Sequence, residues 1–130
     1  MMPMPRGAEA YRRVEAESRS PLELVVMLYD GAVRFLAEAR EAHGRRDLIA
    51  RGNALSRALA IIAELQSTLN LKEGGAVAAE LDRLYTYITW RLMDVNVKQD
   101  VTALDEAHKL LSTLSDAWAQ TANRVPQGAA

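Results

Sequence analysis

Apolar residues recur at helical spacing along most of this chain, with polar residues between them. After Ser20, the residues Leu24, Val25, Leu28, Ala32, Phe35, Leu36 and Ala39 follow in steps of mostly three and four, the period of one helix face. Ser20-Pro21-Leu22-Glu23 marks the start of that helix, with serine at the N-cap, proline at the first helical position and glutamate three residues after the cap. Gly44 is its expected stop. Asp47 caps a second helix reaching to Asn70, with a stripe of Leu48, Leu55, Ile62 and Leu69 widened by Ala58, Ile61 and Leu65. Asn70 to Gly75 breaks the pattern, and Gly74-Gly75 is the strongest turn signal in the chain. A third helix is predicted from Ala76 to Val97, with Val77, Leu81, Leu84, Ile88, Leu92 and Val95 on one face. Asp100 or Thr102 caps a fourth, in which Leu104, Ala107, Leu111, Leu114 and Trp118 repeat.

No segment alternates polar and apolar residues as a half-buried strand does. Four amphipathic helices on short links predict an all-α fold, an antiparallel four-helix bundle, over residues 20–122. Residues 1–19 read as a flexible arm. Ala8 to Glu17 can form a short helix there, with Tyr11 and Val14 on one face. Residues 123–130 read as a flexible tail.

The apolar width of the second and third helices exceeds one core stripe. Ile61, Leu65, Tyr85, Tyr87, Trp90 and Val97 spread over more than the arc of about 100° that a surface helix buries. Either these helices are central in the bundle, or the surplus is exposed and binds a partner.

Composition narrows the function. At 130 residues the chain fits one domain, and its 49% apolar and 25% charged residues are those of a soluble globular protein. With 16 basic and 17 acidic side chains the net charge is −1, which gives no field to draw in nucleic acid or an anionic membrane. There is no cysteine, so neither a disulfide framework nor a thiolate metal site is available. The start of the chain has no apolar signal core, and no stretch approaches the ~20 apolar residues that cross a bilayer. A cytosolic protein with no membrane insertion is expected.

Chemistry is equally restricted. A di-iron bundle needs two Glu-x-x-His pairs and two further carboxylates. Asp105 and His108 make one loose half of that pattern, and Glu41 is only two residues from His43. His108 is read as a solvent-facing helix residue. There is no Gly-x-Ser-x-Gly elbow and no phosphate loop. No catalytic residue, metal site or cofactor is expected. Arg40, Arg45, Arg46, Arg51 and Arg57 form a basic cluster, but Glu38, Glu41, Asp47 and Glu64 interrupt it. It is read as a solvated surface rather than a nucleic-acid site.

Taken in order, several strings resemble the flagellin-specific export chaperone family, FliS. They are Ala10-Tyr11, Ser20-Pro21-Leu22-Glu23-Leu24-Val25, Met27-Leu28-Tyr29-Asp30-Gly31-Ala32, Ile61-Ile62-Ala63-Glu64-Leu65, Leu69-Asn70, Gly74-Gly75, Leu84-Tyr85-Thr86-Tyr87, Asn96 with Asp100, Leu110-Leu111 and Trp118. Met27 to Ala32 is the most distinctive, and the likeness covers Ala10 to Trp118. Trp90 and the alanine-rich tail look individual to this chain. The resemblance implies a helical bundle with a short N-terminal helical segment. It also implies a partner, the C-terminal region of flagellin, held unpolymerised in the bacterial cytosol and delivered to the export apparatus. Tyr11 would sit in an arm that covers apolar surface until flagellin binds. With the resemblance added, the candidate flagellin-binding residues are Tyr11, Ile61, Leu65, Leu69, Tyr85, Tyr87, Trp90 and Asn96. The chief alternative is a structural bundle that self-associates through the same apolar face, and a homodimer is a candidate assembly in either case.

Overall fold

The computed structural model describes residues 20–124. Four helices make up the described chain: α1 Pro21–Gly44, α2 Leu48–Ser67, α3 Leu71–Lys98 and α4 Val101–Arg124. Each packs on its neighbours in sequence, and α4 closes the ring against α1. With such short links this is the antiparallel four-helix bundle expected from the periodicity. The arm helix anticipated at Ala8 to Glu17 lies outside the described residues, as does the tail after Arg124.

The start of α1 is as the sequence predicts. Ser20 is extended at the N-cap, its Oγ accepts the Glu23 amide at 3.1 Å, and Pro21 opens the helix. Ser20→Ala is expected to lower stability by about 1 kcal/mol, read as a lower midpoint in a denaturant melt. Asp47 and Asn70 cap α2 and α3 in the same way, accepting the amides of Ala50 and Glu73 at 3.0 Å.

The stop of α1 falls where the sequence predicts, but its left-handed turn does not. Gly44 is the last residue of α1, and the left-handed turn falls two residues later at Arg46, φ 59°. Gln99, φ 57°, does the same after α3. A side chain in this region costs about 1 kcal/mol. Arg46→Gly is therefore expected to raise the unfolding free energy by about 0.5 kcal/mol, after the added entropy of glycine in the unfolded chain.

The Gly74-Gly75 signal marks a kink rather than an open loop. Leu71 to Gly74 already forms a turn capped by Asn70, Gly75 is non-helical at φ 56° and ψ −132°, and the long helix runs on from there. Leu71 to Val77 are all exposed. Val77, expected to face inward, is 69% exposed, and Ala78 takes the first buried position.

The core is built from Leu28, Leu36, Leu55, Ile62, Ile88, Leu92, Val95, Leu104 and Leu111. Buried alanines line both α1 (Ala32, Ala39, Ala42) and α2 (Ala54, Ala58), and small side chains let helix axes approach closely. Gly31 serves the same contact, since a Cβ there would meet Ile61 Cδ1 at 3.3 Å. Leu48, assigned to the core stripe of α2, is 53% exposed. Leu48 is the first residue of α2, at the link from α1, whereas Leu55 one heptad on is fully buried.

Candidate functional site

The candidate residues fall into three groups. Leu65 and Tyr85 are each only 2% exposed and belong to the core. In the closed bundle both face inward, because they sit in phase with Ile62 and Ile88. Ile61 and Leu69 are half-buried against the core, so the apolar width of α2 is spent mainly on packing. Tyr87, Trp90 and Asn96 are exposed. Tyr11 lies outside the described residues.

On α3 the surplus is real. Trp90, Met93 and Val97, spaced three and four apart, lie on one face and are 71%, 57% and 78% exposed. That face is opposite Ile88, Leu92 and Val95, which are fully buried. Tyr87 extends it toward α4, where its hydroxyl donates to Glu106 Oε1 at 2.5 Å. Arg91 reaches the same oxygen at 3.2 Å and Asp100 Oδ2 at 3.3 Å. Asp100 in turn accepts the Ala103 amide at 3.1 Å, capping α4. This polar clasp ties α3 to α4 beside the exposed stripe.

The clasp has a signature in pH. The Tyr87 hydroxyl, aided by Arg91, holds the Glu106 carboxyl below its ordinary value, and the same bond raises the Tyr87 phenol. A depressed carboxyl stabilises the fold above the unfolded value of about 4.3, and that contribution is lost as pH falls through the folded value. Tyr87→Phe is expected to move the Glu106 titration upward, toward the ordinary carboxylate range. Carboxyl-detected NMR of both proteins checks this.

A second polar feature was not legible as such. Tyr29 and Tyr85, on diagonal helices, share a hydrogen bond between their hydroxyls inside the core, and the Tyr29 ring is 6.3 Å from that of Trp118. Burial pushes both phenols upward, so the pair stays protonated at neutral pH. Tyr29 stands in the Met27 to Ala32 string, where its inward position in phase with Leu36 was the available signal.

One member of the basic cluster departs from the solvated reading, which Arg40, Arg45, Arg46 and Arg57, all exposed, bear out. Arg51 is not solvated but 2% exposed. Its Nη1 contacts His43 Nδ1 at 3.1 Å and donates to Gln99 Oε1 at 2.6 Å, while its Nε has no partner. Arg51 thus sits beside the C-terminal ends of α1 and α3, whose partial negative charges favour a cation there. Arg40 pairs with Asp105 at 3.0 Å, and Arg57 lies over the Phe35 ring at 5.7 Å. Arg40, Arg51 and Arg57 thus each link one helix to another. Among the described residues no group of three or more metal-ligating side chains converges, and no helix is long and apolar enough to cross a membrane.

A four-helix bundle whose outward-facing apolar residues concentrate on one helix, beside a polar clasp, presents the kind of surface a binding protein uses. Residues 4–125 match the family described as "Flagellar protein FliS", and the chain belongs to that family of flagellar secretion chaperones. It is 40% identical over 119 residues to the flagellar secretion chaperone FliS of Salmonella typhimurium, covering 88% of each chain. It is 32% identical over 117 residues to the flagellar secretion chaperone FliSB of Pseudomonas aeruginosa, covering 87% of this chain and 93% of that one. With the FliS of Bacillus subtilis it shares 32% identity over 111 residues, 85% of this chain and 82% of the relative.

Proposed function

We propose that this chain binds the C-terminal region of flagellin in the bacterial cytosol, keeps it from polymerising early, and passes it to the export apparatus. The observation that carries this reading is the exposed stripe of Trp90, Met93 and Val97 on α3. An amphipathic segment that is disordered before assembly finds there an apolar face of helical spacing, the chemistry of helix-in-groove recognition. Ordering such a segment costs several kcal/mol, so Tyr87 and Asn96 flank the contact and further surface contributes. Family membership gives a flagellar protein as the partner, and the net charge of −1 leaves apolar contact rather than charge as the attractive term. The chain acts by binding and not by catalysis.

Calorimetric titration with a synthetic peptide of the flagellin C-terminal region tests this. Saturable binding with a negative heat-capacity change, the mark of apolar burial, is expected. Absence of binding to a peptide shown to be monomeric overturns it. Self-association through the same stripe is the second reading, favoured by the exposure of Trp90, and the mass of the free chain by light scattering distinguishes it.

A further inference from the structure

The two halves of α3 are held in different ways. In the second half Ile88, Leu92 and Val95 are fully buried, and the Arg91 clasp and the Arg51–Gln99 bond secure its end. The first half begins with seven exposed residues, Leu71 to Val77. Leu81 and Leu84 behind them are only partly buried. Its buried apolar anchors are Ala78 and Tyr85, fewer than in the second half, and polar bonds, Tyr87 to Glu106 among them, hold the rest. Gln66 of α2 offers its amide to Asp82 Oδ1 at 2.9 Å and to Thr86 Oγ1 at 3.0 Å. Tyr85 reaches across the core to the Tyr29 hydroxyl. Gly75 stands at the entrance with a backbone that residues carrying a Cβ rarely adopt.

We infer that residues 76–87 form a latched segment that opens locally about Gly75 while the second half of α3 stays docked, uncovering Leu65 and Tyr85. Local opening takes place where few apolar contacts must be broken, and such regions lie at the low end of a protein's stability range. Polar ties suit a latch, because water satisfies an opened hydroxyl or amide, so the net cost of parting a hydrogen bond is small. Ile88 sets the limit of opening as the first fully buried apolar residue after Tyr85. The inference about opening concerns the free protein. That the uncovered residues then meet a partner rests on the flagellin reading, and the two fail separately.

Hydrogen exchange of the full-length free chain, resolved by peptide, tests the opening. Amides of 78–87 are expected to exchange about tenfold or more faster than those of 89–95 in the same helix, and faster than the core amides of α1. Tyr85→Phe removes the bond between the two hydroxyls and should speed the first block by about tenfold, with 89–95 unmoved. Gln66→Ala, at a partly exposed site tolerant of change, should speed the same block about fivefold. Equal rates in the two halves of α3 overturn the inference. So does parallel acceleration of all four helices in either variant, or no acceleration of 78–87 in both. If the block opens as expected but flagellin peptide affinity is the same in both variants, the opening stands and its part in binding falls.

Discussion

Trp90→Asp is expected to reduce flagellin-peptide affinity by about 3 kcal/mol, roughly a hundredfold, because a central exposed aromatic is replaced by a charge that must be buried unpaired on binding. The fold should not notice. Trp90 is 71% exposed, and surface changes of this kind fall within about 0.5 kcal/mol in stability. Circular dichroism and a thermal melt establish that the variant is folded, and titration then isolates the loss of binding. A folded variant with unchanged affinity would move the partner surface off this face of α3.

Leu65→Asp, chemically the same kind of change, is expected to act in the opposite way. Leu65 is 2% exposed within the core, so the substitution removes a packed side chain and buries a carboxylate without a counter-ion. Together these cost about 5 kcal/mol or more, which is comparable to the whole stability of a small domain. The variant should be largely unfolded by circular dichroism at room temperature. Leu65→Ala keeps the chemistry apolar and should remain folded at a cost of about 2–4 kcal/mol, read from the urea midpoint. A Leu65→Asp protein with unaltered helicity and melting would show that this position is not part of the core.

The contrast between these two residues shows what sequence could convey. Helix periods and capping residues are local, so Ser20, Pro21, Asp47 and Asp100 announced their helices correctly, whereas Asn70, read as part of a break, caps α3. The surplus apolar width was local too, and it led to Trp90. Which surplus residue faces in was not local. Tyr85 and Tyr87 look alike in sequence, yet two residues apart on a helix they stand about 200° from each other. One bonds Tyr29 in the core and the other bonds Glu106 at the surface. Arg51 was misread for the same reason: a charged residue in a basic cluster signals solvent unless two helix ends converge on it. Arg46 and Gln99 gave no turn signal because neither is glycine, although both take up glycine's conformation. The Gly74-Gly75 pair did announce a break, and only the angle at Gly75 reveals that the helix resumes on a new phase.

The positions of the two tryptophans give the molecule an optical division of labour. Trp90 faces water on α3, whereas Trp118 is packed against the core beside the Tyr29 ring. Emission from Trp90 belongs to a polar environment and is free to shift blue when an apolar segment covers it. Trp118 is within range to receive excitation energy from the paired tyrosines, and it loses that input when the helices part. One cuvette therefore holds two reporters, one for what lands on the outside and one for whether the inside is still assembled.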